Sequence, residues 1–167
     1  MSARARPQFA LRPYLIEDTP LLTEIFRASI EELTADDYGD GARRAWAAAA
    51  DDEEAFARRL SGQLTLVATL NGSPVGFGSL ANNEIIDLLY VHPAVAGQGA
   101  GTMLVDALEK LSLARGAKRL TADVSDSAED FFKKRGFSAR QRNTVRRGGE
   151  WLANTTMEKA LAKGAAA

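Results

Sequence analysis

Val91–Thr102, VHPAVAGQGAGT, is the stretch from which the rest of the chain is read. Its centre, Gly97-Gln98-Gly99-Ala100-Gly101, stands between a nearly continuous apolar run, Ile85–Val91, and a helical pattern from Gly101 in which Leu104, Ala107, Leu108 and Leu111 share one face. Glycines at a strand-to-helix turn let backbone N–H groups approach an anion closely, and the helix N-terminus adds partial positive charge. That chemistry suits a pyrophosphate. A P-loop ends in Gly-Lys-Ser/Thr, and no lysine stands between Gly101 and Thr102. A dinucleotide turn, G-x-G-x-x-G, needs its third glycine where Thr102 lies. Asp123 is spaced for the ribose contact of such a fold, but the 44 residues after it are too few to complete a doubly wound sheet.

Toward the N-terminus the pattern alternates. Leu64, Leu66, Ala68 and Leu70 form one strand, Asn71-Gly72 is a hairpin turn, Val75, Phe77 and Ser79 form the return strand, and Ala81-Asn82-Asn83 turns again into Ile85–Val91. That last run reads as a central strand covered on both faces. Earlier still, Phe9–Tyr14 is a short strand, and Asp18-Thr19-Pro20 starts a helix with a capping residue and a proline. Leu22, Ile25, Phe26 and Ile30 line its buried stripe. A second helical region runs from about Gly41 to Leu60, with Asp51–Glu54 as a restart. Beyond the glycine turn, Gly116 stops the helix and Leu120–Val124 is another strand. Ser127 with Asp130 predicts a capping box for a short helix ending at Gly136, with Phe137 folding back onto Phe131 or Phe132. Arg140–Val145 and Trp151–Met157 form a final hairpin around Arg147-Gly148-Gly149-Glu150. The order is β-α-α-β-β-β-α-β-α-β-β: an α/β fold with a single mixed, mostly antiparallel sheet flanked by helices.

The 167 residues predict one domain spanning 1–167, with an ordered core from about 8 to 160 and short frayed ends. With no cysteine there is neither a disulfide framework nor an acyl-cysteine route. A net charge of −1 gives no global field for nucleic acid. The late basic runs, Lys133-Lys134-Arg135 and Arg140 to Arg147, read as a solvated face. No apolar run approaches the ~20 residues that span a bilayer, and MSARARPQF has no apolar segment behind its arginines. The expectation is a cytoplasmic protein without membrane or nucleic-acid partners, monomeric or homodimeric. No cluster has metal-ligand spacing.

Val91-His92-Pro93 followed by Ala96-Gly97-Gln98-Gly99-Ala100-Gly101 resembles the coenzyme A motif of the GNAT superfamily of acetyl-CoA-dependent N-acetyltransferases, in its small bacterial type. The motif usually carries Gln or Arg where this chain has Ala96. Ser125–Phe137, SDSAEDFFKKRGF, is similar to the family helix N-x-x-A-x-x-F-Y-x-x-x-G-F, with Ser125 for Asn and Phe132 for Tyr. The resemblance covers nearly the whole chain, because the strand order and helix positions match.

The resemblance implies acetyl-CoA as donor, a bulge near Leu89–Val91 that splays this strand from Leu120–Val124, and a pantetheine arm pairing with Leu89 and Val91. Leu89, Tyr90, Val91, Gly97, Gln98, Gly99, Ala100, Gly101 and Thr102 are the donor-binding candidates. Ser125, Phe131, Phe132 and Lys134, for a phosphate, complete them. A backbone N–H near Val91 is expected to serve as an oxyanion donor. A lysine-like acceptor must lose a proton, at about 4–5 kcal/mol near neutral pH, so a base is worth having. Asp87, the lone charge in Ile85–Val91, is the candidate for base, water-positioner or ammonium ligand; on a regular strand it shares a face with Leu89 and Val91. The alternative is an ion pair with an arginine such as Arg119. Glu84 reads as a solvated turn residue. Phe132 cannot supply the family's tyrosine proton, and Tyr38 is the candidate to replace it, against a packing role. His92 reads as a loop residue, and Trp46 and Trp151 as core or lid packing.

Three classes of function remain open. The first is direct acetyl transfer to an amine, of a small molecule or of a protein or peptide. The others are a non-catalytic acyl-CoA sensor and a nucleotide-binding module.

Overall fold

A computed structural model of the chain describes residues 8–161, so the frayed ends expected at both termini lie outside the described residues. One seven-stranded sheet runs in the order β1-β2-β3-β4-β5-β7-β6. Its strands are β1 (Phe9–Pro13), β2 (Leu64–Leu70), β3 (Ser73–Ala81), β4 (Ile85–Val91), β5 (Arg119–Ser125), β6 (Ser138–Arg147) and β7 (Glu150–Ala160). Every neighbouring pair is antiparallel except β4 and β5, which the crossover helix α4 (Ala100–Ala114) joins. Among the described residues no helix is long and apolar enough to cross a membrane.

The second helical region divides into α2 (Asp40–Ala47) and α3 (Glu53–Ser61), and Asp52 caps α3 by accepting from the Ala55 N–H at 3.0 Å. Two other expected caps are not formed. At the start of α1 (Thr19–Leu33), the Asp18 carboxylate is drawn away by Arg12, at 2.7 Å to each oxygen, and by the Leu15 N–H. Before α5 (Glu129–Lys134), Ser127 donates to Asp37 across 2.7 Å, and Ala128 occupies the cap position. In both places a charged side chain outside the helix takes the group in place of the helix's own N–H groups.

The sheet separates two cores. On one face Leu22, Ile25, Phe26 and Ile30 of α1 meet Phe56 and Leu60 of α3 over Val67, Phe77 and Leu88. On the other face Val105 and Leu108 of α4 meet Phe132, Phe137 and Met157 over Leu80, Ile86, Leu120, Ala122 and Val124. Phe137 folds back onto Phe132, with ring centroids 5.0 Å apart.

β4 changes hands between these cores. Ile86 belongs to the α4 face and Leu88 to the α1–α3 face, although a regular strand puts residues two apart on one side. The β3–β4 register jumps here, Ser79 pairing with Leu88 and Leu80 with Ile86, so Asp87 is the extra residue of a β-bulge. The bulge therefore sits earlier than the expected Leu89–Val91. It places Asp87 on the α1–α3 face while Leu89 packs on the other, which corrects the shared face expected for Asp87, Leu89 and Val91. β4 and β5 pair only at Ile85–Thr121 and Ile86–Ala122, then part. Coverage of β4 is correspondingly incomplete: Leu89, Tyr90 and Val91 are half-buried beside the gap.

Candidate active site

The gap between β4 and β5 opens into a cavity of about 570 Å³, lined by β4, β5, the glycine turn and α5. The His92 N–H donates to Val75 of β3. By alternation Tyr90 and Leu88 also turn their backbone groups toward β3, so those of Leu89 and Val91 face the gap.

At the far end of the cavity, Gly97 and Gly99 adopt φ of +77° and +105°, a left-handed conformation open to glycine without strain. The N–H groups of Gly97, Gly99, Ala100, Gly101 and Thr102 find no acceptor among the described residues. A Cβ on Gly99 would meet nothing within 4 Å, so the space in front of this turn is free. Clustered donors at the start of a fifteen-residue helix fit a pyrophosphate. Gly101 serves packing: a Cβ there would stand 3.3 Å from the Phe131 ring. Arg135 lies over that ring, 3.7 Å from its centroid, donates to the Phe131 carbonyl at 2.8 Å and to Thr102 Oγ1, and lines the cavity. Lys134, the expected phosphate ligand, is exposed at the end of α5 and does not line the cavity; Arg135 is the cation at this wall. Gln98 also turns away, its amide donating to the Ala94 carbonyl at 3.4 Å. His92 is a loop residue whose Nδ1 accepts from the Ala94 N–H.

A smaller cavity of about 200 Å³ lies on the α1–α3 face, beneath the β6–β7 hairpin. Trp46, Asp87, Tyr90, Asp123 and Ser125 line both cavities and form their common wall. On β5, Leu120, Ala122 and Val124 point into the α4-side core, which turns Thr121, Asp123 and Ser125 to this side.

Asp87 is fixed by three hydrogen bonds, from Arg59 Nε (2.7 Å), Arg59 Nη2 (2.9 Å) and Gln63 Nε2 (2.8 Å). Its arginine is thus Arg59, whereas Arg119 pairs with Glu158. Burial opposes the Asp87 charge, but the bonds from Arg59 and Gln63 outweigh it and hold the carboxyl below the usual carboxylate range. Asp123 accepts one bond, from Thr156 Oγ1 at 2.6 Å, through Oδ1. Tyr90 accepts from Trp46 Nε1 at 3.2 Å, and its own proton has no acceptor among the described residues. Burial pushes its phenol up to about 12. Tyr38 is committed elsewhere. Its hydroxyl donates to the Ala153 carbonyl at 2.5 Å and accepts from the Asp126 N–H at 2.9 Å, tying the α1–α2 connection to β7. Trp151 is exposed beneath Arg146 rather than packed.

Sequence reasoning missed Arg59, Asp123 as a site residue, Tyr90 as a side-chain donor, and Arg135. Asp123 had a signal, the polar series Thr121, Asp123, Ser125 alternating with apolar residues. Arg59 had none, because its neighbour Arg58 offers the same chemistry one helical position away.

Residues 34–161 match the family described as acetyltransferase (GNAT) domain. Over 147 residues the chain is 30% identical to the uncharacterized N-acetyltransferase YafP of Escherichia coli, covering 88% of this chain and 93% of that one. It is 32% identical over 124 residues to the peptidyl-lysine N-acetyltransferase YjaB of Salmonella typhimurium, covering 74% and 69%. The crystal structure of a GCN5-related N-acetyltransferase from Rhodopseudomonas palustris superposes with a TM-score of 0.91 at 61% identity, covering 96% of this chain and 99% of that one. Other solved structures with this fold, at 21–24% identity and TM-scores of 0.64–0.76, hold coenzyme A or acetyl-CoA.

Proposed function

The chain belongs to the acetyltransferase (GNAT) family, and from that premise we propose that it moves the acetyl group of acetyl-CoA directly onto the amine of a small molecule. The observation that carries this reading is the wall shared by the two cavities, which brings a donor-sized space and an acceptor-sized space to the same side chains.

The free N–H groups from Gly97 to Thr102 would hold the pyrophosphate, with Arg135 beside them, and the outward backbone groups of Leu89 and Val91 would hold the pantetheine arm. When bound, acetyl-CoA supplies a thioester and a thiol leaving group. The remaining chemistry belongs to the common wall. Asp87 stays ionised with its charge balanced by Arg59, and the lone-pair site left on Oδ1 accepts a hydrogen bond from the ammonium form of the acceptor. Asp123 keeps an oxygen without a partner among the described residues, and takes the amine proton directly or through water. The Val91 N–H, turned toward the gap, would stabilise the charge that develops on the thioester oxygen when acetyl-CoA is bound. Tyr90 keeps its proton and would donate a hydrogen bond to the departing thiolate, which takes its proton from water, in place of the proton transfer that Phe132 cannot make.

A second acceptor reading, a protein lysine, is supported by the name of YjaB. A lysine amine and a free amine meet the same wall, so both belong in the test. Titration with coenzyme A, ATP and NAD comes first, followed by thiol release over a panel of small amines and lysine peptides. The proposal expects selective coenzyme A binding and turnover with small amines. Coenzyme A binding without turnover would make the chain a sensor, and preference for ATP or NAD would make it a nucleotide-binding module.

A further inference from the structure

Within the smaller cavity the charges are sorted by position. Asp87 and Asp123 line the wall shared with the donor cavity, whereas Arg147 and Asn154 line the smaller cavity alone. Arg147 ends β6, at a hairpin tip docked on α2: a Cβ on Gly148 would rest 3.4 Å from Ala45, and the Glu150 carboxylate lies against Gly41 at the start of that helix. The neighbouring cations are spent. Arg140 pairs with Glu158, Arg142 with Asp126, Arg59 with Asp87, and Arg146 lies over Trp151. Arg147 has no acidic partner among the described residues, yet its charge is felt at Asp87 and Tyr90 across the cavity. Asn154 lies opposite Ser125, nearer the shared wall, and takes a bond from Asn143 Nδ2 on its Oδ1, which leaves Arg147 as the donor at the hairpin end. The cavity's roughly 200 Å³ falls below the ~300–1,000 Å³ of drug-sized sites, so the molecule it takes is small.

We infer, building on the acetyltransferase reading, that the acceptor is an amino-acid-like molecule: its amine meets Asp123 and Asp87, and a carboxylate on the same molecule is held by Arg147. A planar guanidinium with several N–H donors suits a carboxylate. Arg147 is exposed, so a carboxylate-free amine leaves it in water at little cost, and the choice between the two rests on the contact that a carboxylate gains.

The test compares α- and ω-amino acids with their carboxamides as acceptors, for the wild type, Arg147→Gln and Arg147→Lys. Wild type should prefer the free acids by about tenfold or more, the discrimination available to one charge-assisted contact. Arg147→Gln should lose that preference through KM, the free acids losing about tenfold more than the carboxamides, and Arg147→Lys should restore part of it. Calorimetry of the same amino acids with the coenzyme A-saturated protein reads the subsite without turnover. Arg147-dependent binding with no turnover would uphold the anion site and sink the transferase reading. Turnover without preference for the acids, or equal losses for both acceptor sets in Arg147→Gln, would overturn the anion site and leave the transferase reading standing.

Discussion

Trp46 Nε1 donates to the Tyr90 phenol oxygen across 3.2 Å, joining α2 to β4 at the wall common to both cavities. The bond uses the oxygen as acceptor and leaves the phenolic proton free to point at a ligand. Tyr90→Phe keeps the ring, which stacks on Phe77 at 5.7 Å and meets Phe26 edge-on at 4.6 Å, and removes that donor together with the acceptor of the Trp46 bond. We expect kcat to fall about 100-fold, as when one preorganised donor is lost, with KM for acetyl-CoA nearly unchanged. Steady-state kinetics with acetyl-CoA varied at saturating amine checks both. A parallel rise in KM would show that the phenol only shapes the cavity.

The two carboxylates of the wall should separate by kinetic signature. Asp123→Asn removes the group assigned to take the proton, and should lower kcat by about 100-fold or more without changing coenzyme A affinity. Asp87→Asn removes a fixed charge and weakens the bonds from Arg59 and Gln63, so its main effect should be on the KM of the acceptor. The reverse pattern would exchange their roles.

Asp87 also links stability to pH. Its carboxyl titrates below the usual range in the folded chain, so its contribution is fully present above the unfolded value of about 3.9 and is lost as pH falls through the folded value. Arg59→Gln should destabilise the protein by about 1–2 kcal/mol at pH 7, a modest figure because the pair is partly exposed. Urea denaturation of both proteins from pH 7 down to 3 should show the difference narrowing below about pH 4. A constant difference would mean that Arg59 acts by packing alone.

At the glycine turn, a side chain at position 99 would project into free space in front of the unpaired N–H groups. Gly99→Val should weaken coenzyme A binding at least tenfold, while the left-handed φ adds about 1–3 kcal/mol of strain. Gly116→Val is the control, with φ of +88° and open space away from the cavity. It should carry a comparable loss in thermal stability and bind coenzyme A normally by calorimetry. Normal binding by the Gly99 variant would remove the pyrophosphate assignment.

The strands, their turns and the crossover helix were legible because local chemistry sets them. Asn71 and Gly72 both adopt positive φ, as a two-residue hairpin demands, and Leu104 and Leu108 are buried as their spacing implies. The glycine turn was legible for the same reason. What escaped depends on side-chain partners and strand register that no local pattern marks. A bulge adds one residue without a compositional mark, so the face of Asp87 could not be read from parity once β4 was broken. Asp18 and Ser127 had the composition of caps and were claimed by Arg12 and Asp37. Arg135, one place beyond Lys134, reached the cavity because Phe131 and Thr102 hold it there.

The most direct test of acetyl transfer at the shared wall follows acetyl-CoA and an amine panel to products, in wild type and Asp123→Asn, with coenzyme A affinity measured on both. Acetyl transfer at that wall requires free thiol and acetylated amine in equal amounts from the wild type, and a loss of about 100-fold in the variant at unchanged affinity. Tight coenzyme A binding with no acetylated product from any amine or lysine peptide would contradict it.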